Sequence, residues 1–278
     1  MAANKGLQYE NAVMAEALAR IWEPTLDEER MLLEYRSKVE DSNVENTARR
    51  FMDRIWNLDP TQATSKQFYR SFKKLGGGRP EPKTDILFIK NGQKYRCSLK
   101  YGGKWQFSSA GIQGNITLMN RILQKISVAG SVGGVATIKI AELLEWLQDE
   151  IALQPTKQVK SAISPRLAAL KQQGGTNEQL ERILGGKKNA QLDPMYSAFK
   201  REFIRENLTG GIAFGTNNDA CANYVLDMEN LYPITDTVVN SLLDKVFVEL
   251  RLKGRGFDPG GSGERLNEIV LRVEQTSE

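Results

Sequence analysis

Asp85, Ser98 and Lys100 are the residues whose types and spacing best suit bond-breaking chemistry in this chain. They lie in two stretches of alternating polarity, 84–90 (TDILFIK) and 93–100 (QKYRCSLK), which flank Asn91-Gly92. An Asn-Gly pair between such stretches is the strongest short hairpin signal. With Asn91 and Gly92 at the centre of a two-residue turn, Lys90 opposes Gln93 and opposed positions sum to 183. Asp85 then opposes Ser98, and Lys100, two residues further on, points to the same face. Ile86, Phe88, Tyr95, Cys97 and Leu99 take the other face, as core. One face of the strand pair is therefore expected to hold a carboxylate, a hydroxyl and an ammonium.

Those groups suit a hard cation. Mg²⁺ takes oxygen ligands, often one or two carboxylates with water and a substrate phosphate. Asp85 would anchor it and the Leu99 carbonyl would offer a second oxygen, with Mn²⁺ as the expected substitute. Lys100 would orient the attacking water or stabilise the charge of a phosphorane-like transition state. Composition points the same way. The chain of 278 residues has no histidine and two cysteines, Cys97 and Cys221. Histidine-dependent triads, His-ligated metal centres and Cys₄ zinc sites are excluded.

The formal net charge of +4 is unevenly spread. Residues 66–104 carry 11 basic and 2 acidic side chains, while the flanking parts are mildly acidic. Such a block is the footprint of a polyanion-binding surface, and a merely solvated face is the competing reading. Lys73, Lys74, Arg79, Lys83 and Lys104 are its candidate nucleic-acid contacts. Gln106 and Ser109 would hold the metal-bound water or a phosphate. Trp105 and Phe107 would either stack on bases or fill the core. The glycine-rich turn at 76–80 and Gly185-Gly186-Lys187-Lys188 both lack the Walker pattern. The loop 254–263 reads either as a basic loop touching phosphates or as a simple hairpin connection.

The run Pro82-Lys83-Thr84-Asp85, a hairpin and then Ser98-Leu99-Lys100 resembles the signature of the PD-(D/E)XK, restriction-endonuclease-like nuclease superfamily. Members carry an Asp at the start of one strand and an acid-x-Lys on the next, often with a Glu on a preceding helix. Glu10 fits that helix position, three residues after Leu7 and four before Met14 on the expected buried stripe. Two departures stand out: Thr84 replaces the usual proline, and Ser98 replaces the second acid. The Ser-x-Lys variant shifts weight onto Glu10 and leaves room for Glu202 or Glu206. The stretch 98–109 and the later 205–215 are also similar to segments of nuclease-like proteins of tailed bacteriophages. The resemblance implies a Mg²⁺-dependent DNA nuclease with Glu10 and Asp85 as ligands. Its alternative is a weakly active, DNA-binding or phage structural or packaging protein. The expected partners are DNA and, for the chain itself, a second copy as a homodimer or a phage particle.

The elements that must position these residues read as follows. Asn4 caps a helix running to about Trp22, with Leu7, Met14, Leu18 and Ile21 on its apolar stripe. A helical region over 26–56 breaks near Asp41-Ser42-Asn43, and another helix covers 61–75. After the hairpin come a helix over 108–126, a glycine-rich connection over 127–137 and a helix over 138–153. Helices near 177–184, 193–207, 216–228 and 235–245 precede strands over 245–252 and 266–273. The expected class is mixed α/β: a restriction-endonuclease-like sheet flanked by helices, with an additional helical C-terminal region. The expected division is a core over 1–153, a polar linker over 154–176 and a packed region over 177–278. No signal peptide or membrane span is read in the sequence, so the host cytoplasm or a virion is the expected location.

Overall fold

Asn4 accepts the Gly6 N–H at 3.0 Å and so caps the first helix, α1 (Lys5–Leu18). Thr25 and Glu28 form a reciprocal capping box at the start of α2 (Leu26–Arg36). The expected break near residue 41 follows, and then α3 (Ser42–Asn57). This computed structural model describes residues 4–21, 23–57, 73–74, 82–90, 92–102, 105–152, 178–186, 193–254 and 267–275. It is mixed α/β with two small sheets. Two compact units make up the chain: Met1–Trp105 with Leu208–Thr235, and Gln106–Asn207 with Asp236–Glu278.

The first unit contains a five-stranded sheet in the order β1-β2-β3-β5-β6. Its strands are β1 (Lys73–Lys74), β2 (Ile86–Lys90), β3 (Gln93–Lys100), β5 (Tyr224–Asp227) and β6 (Asn230–Pro233). All neighbours are antiparallel except β3 and β5, which run parallel. A parallel pair needs a long crossover, and residues 106–207 of the second unit lie within this one. The β2–β3 register is the expected one, from Lys90↔Gln93 to Ile86↔Cys97. Ile86, Phe88, Cys97 and Leu99 pack with Tyr9, Val13, Phe51 and Met52 of α1 and α3 in one core cluster. Phe88 stacks on Tyr95 with ring centroids 4.7 Å apart, extending that face.

The second unit holds β4 (Gln106–Gly111), β7 (Val246–Gly254) and β8 (Asn267–Gln275) as an antiparallel sheet in the order β4-β8-β7. Its helices are α4 (Ile112–Val128), α5 (Gly134–Ala152), α6 (Glu178–Leu184), most of α7 (Ser197–Thr209) and α9 (Asp236–Ser241). The short α8 (Gly211–Phe214) belongs to the first unit. Lys200 on α7 is wholly buried. Among the described residues, no helix is long and apolar enough to cross a membrane.

Several expectations need correction. α1 ends at Leu18, short of Trp22, which lies outside the described residues. Leu7 is 51% exposed rather than part of the buried stripe. Gln8 turns inward instead, and its Oε1 accepts the Glu40 and Asp41 N–H groups at 2.8 and 3.0 Å. Lys73 and Lys74 form a strand against Ile86 and Leu87, where a helix over 61–75 was expected. Residues 108–111 pair with β8 rather than opening α4. α4 and α5 leave only a short connection within the expected glycine-rich 127–137. Residues 224–227 are β5 rather than helix, because they pair with β3 and β6. The segments 61–72, 75–81, 154–176 and 255–266, with the expected turn, linker and basic loop, lie outside the described residues.

Candidate active site

Asp85 sits just ahead of β2, where the hairpin ladder ends. Its N–H donates to the Cys97 carbonyl at 2.9 Å, and its carboxylate accepts the Leu99 N–H at 2.7 Å. A continued ladder would pair Leu99 with Thr84. The Lys83 and Thr84 N–H groups go instead to the Ala220 carbonyl, at 3.0 and 3.2 Å. The Thr84 N–H is therefore turned away from the Leu99 carbonyl. The ladder pairs stop at Ile86↔Cys97, short of the expected Asp85–Ser98 pair. Ser98 is buried, as are Leu87 and Val225 on the same face of the sheet. The expected polar face is thus lined by a buried hydroxyl among apolar side chains, with the charges gathered at its end.

Lys100 shows which charges meet there. Burial pushes its ammonium below the ordinary lysine range, and Asp85, Glu10 and Asp227 oppose that shift. Three acids from α1, the start of β2 and the end of β5 therefore stand within electrostatic reach of one lysine on β3. Asp85 and Glu10, both named from the sequence, are thus among the acids within electrostatic reach of Lys100. Glu10 is half-buried, though its place does not depend on the Leu7 stripe.

Asp227 was missed by sequence reasoning. It lies beside Lys100 in the parallel β3–β5 register. Its Oδ2 accepts the Trp105 indole N–H at 2.8 Å. Its Oδ1 is buried with no hydrogen-bond partner among the described residues. The turn that follows is tightly held. The Met228 N–H donates to the Lys100 carbonyl at 3.2 Å, and the Tyr9 hydroxyl donates to the Met228 carbonyl. Arg50 pairs with Glu229, and Arg54 donates to the Glu229 carbonyl at 3.1 Å. Met228 has φ of 53°, left-handed for a residue that is not glycine. Burial, then Asp227, raises the Tyr9 hydroxyl above the ordinary tyrosine range. The only sequence signal for Asp227 was an acid closing the short apolar run Tyr224-Val225-Leu226.

The remaining candidates are more scattered. Trp105 and Phe107 are buried, which favours their core reading. Gln106, which is exposed, and Ser109 lie on β4 in the second unit. Glu202 and Glu206 belong to that unit too, with Glu202 bonded to Lys125 at 2.6 Å. Lys73 and Lys74 form β1, and Lys83 precedes Asp85 half-buried. Arg79 and Lys104 lie outside the described residues. Cys97 and Cys221 are buried free thiols, and burial pushes that of Cys97 up.

The donors around Lys100 are carboxylates and a backbone carbonyl, the oxygen set that Mg²⁺ or Mn²⁺ prefers. Among the described residues, no three acidic or thiol side chains already converge as a closed metal cage. A cation here would use two carboxylates at most as they stand, with carbonyl and water completing its shell. The chain matches no family model, no curated protein and no solved structure.

Proposed function

We propose that the first unit is a metal-dependent nuclease site of the restriction-endonuclease-like kind, hydrolysing phosphodiester bonds in DNA. The observation that supports this reading is that Glu10 on α1 and Asp85 ahead of β2 both lie within electrostatic reach of Lys100 on β3. Glu10, Asp85 and the Leu99 carbonyl would hold Mg²⁺ or Mn²⁺, which supplies Lewis acidity and an activated water when bound.

The chain's own groups divide the remaining work. The Leu99 N–H fixes one oxygen of Asp85 and so sets the direction of the carboxylate. Lys100, poorly hydrated in its buried setting, presents a positive charge to the phosphoryl oxygens or to the attacking water. Ser98 acts through water rather than as a ligand. Basic residues of the 66–104 window would hold the flanking phosphates in register.

A second reading is favoured by Ser98 standing where an acid is usual: a nuclease fold that binds DNA with little or no cleavage, including a phage structural role. Incubating the full chain with linear, nicked and branched DNA, and with RNA, in Mg²⁺, Mn²⁺ and EDTA separates the two. Cleavage that needs the metal and is lost in Asp85→Ala and Lys100→Ala supports the nuclease. Binding without cleavage under all conditions favours the second reading, and equal cleavage by both variants overturns the site.

A further inference from the structure

We infer that Asp227 is a cation-binding carboxylate of this site, taking over from β5 the acidic role that Ser98 leaves open on β3. The inference rests on the nuclease reading above and extends it to a residue that the motif does not contain.

Geometry is the first argument. Parallel pairing puts Asp227 alongside Lys100, so the acid reaches the charged cluster from the neighbouring strand rather than from the position opposite Asp85. The second is the unequal treatment of its two oxygens. Trp105 holds Oδ2 at 2.8 Å, while Oδ1 is shut off from solvent and accepts from no donor among the described residues. A buried carboxylate oxygen without a donor is costly, and a cation bound on that side would satisfy it. The indole N–H can only donate, so it fixes the carboxylate's orientation without competing for the cation.

The third argument is charge. Glu10, Asp85 and Asp227 around Lys100 leave a net charge of −2 when all four are ionised. That balance matches a divalent cation, whereas without Asp227 it is −1. The fourth is the construction of the turn. Tyr9, Arg50 and Arg54 all grip residues 228–229, and Met228 is held in a left-handed conformation. Such strain persists only where the surroundings over-determine it, and here the result is a fixed position for Asp227. The carboxylates do not form a finished cage, so the cation would bridge Asp227 and one partner acid with water between.

The test is Mn²⁺ binding by calorimetry on the full chain, with Asp227→Asn, Asp227→Glu and Asp85→Asn beside the parent. Asp227→Asn is expected to weaken Mn²⁺ at least tenfold, and Asp227→Glu far less. If Asp227→Asn binds as the parent does while Asp85→Asn is weakened, the role of Asp227 is overturned and the nuclease reading stands. If the parent binds no Mn²⁺, both fall. Should Asp227→Asn not fold, Fe²⁺-directed backbone cleavage of the parent decides. Cuts at both 84–86 and 226–229 are expected, and cuts at 84–86 alone would overturn the proposal.

Discussion

The Asp85 carboxylate accepts the Leu99 N–H at 2.7 Å, so a side chain closes the β2–β3 ladder where a backbone carbonyl would otherwise do so. Two consequences are joined in this bond. The carboxylate that would hold a metal is oriented by the strand bearing Lys100, and the same carboxylate helps to hold that strand. Structure and chemistry can be separated by substitution. Asp85→Asn keeps an oxygen that accepts from Leu99 but loses the charge. Its melting temperature is expected to stay close to the parent's, with cleavage down about 10²-fold or more. Asp85→Ala leaves a buried N–H without a partner and is expected to cost about 1–3 kcal/mol in addition. Urea titrations of both variants beside cleavage rates check the split.

Lys100 is expected to show function and stability pulling apart. Burial outweighs the three acids around it and lowers its affinity for a proton, so the charged side chain is a net burden on the fold. Lys100→Met is expected to abolish cleavage while leaving the urea midpoint no lower than the parent's. Lys100→Arg keeps the charge but spreads it over a planar fork, and is expected to restore little activity. A Lys100→Met midpoint well below the parent's would show that the lysine is chiefly a structural counter-charge.

The parts of this site that were legible were the locally encoded ones. Asn91-Gly92 and the period-two pattern fixed the hairpin register, and Asn4 marked the start of the helix carrying Glu10. Asp227 was not legible, for two physical reasons. Its strand ends in a turn at Met228-Glu229, which has none of the usual turn residues, so a helix over 216–228 read more naturally. Its place beside Lys100 comes from parallel pairing across a long crossover, which no local pattern announces. Leu7 failed differently. Periodicity put it on the core face, but the first turn of α1 buries Gln8, whose side chain receives two backbone N–H groups.

In the second unit, Lys200 offers a prediction independent of the site. It is wholly buried on α7, and burial lowers its pKa to about 8 from 10.5, against the pull of Asp244. Between those two values the unfolded chain binds the proton that the folded chain has lost. Stability is therefore expected to rise with pH from about 8 to 10.5, with the penalty fully present below pH 8. Lys200→Met removes the titration and is expected to gain on the order of 1–3 kcal/mol at pH 7, a gain that disappears by pH 10.5. Urea midpoints across that range test both sign and window.

The basic window is thinner as a binding surface than its charge suggests. Of its 11 basic residues, Lys90 donates to the Ile55 carbonyl at 3.0 Å and Lys94 pairs with Asp219 at 2.9 Å. Arg96 donates to the Thr216 and Asn218 carbonyls at 2.8 and 2.7 Å, and Lys100 belongs to the acidic cluster. These four are already engaged within the first unit. The candidate phosphate contacts, Lys73, Lys74, Arg79, Lys83 and Lys104, are none of these four. Neutralising those five together is expected to flatten the plot of log affinity against log salt by about 4.5 units, near 0.9 for each phosphate whose charge is no longer neutralised. Arg96→Gln is expected to leave that slope unchanged while lowering stability, because it frees two carbonyls of the 216–218 loop. Fluorescence anisotropy on one duplex at several salt concentrations measures both. A slope that falls with Arg96→Gln but not with the five lysine and arginine substitutions would move the DNA-binding surface elsewhere.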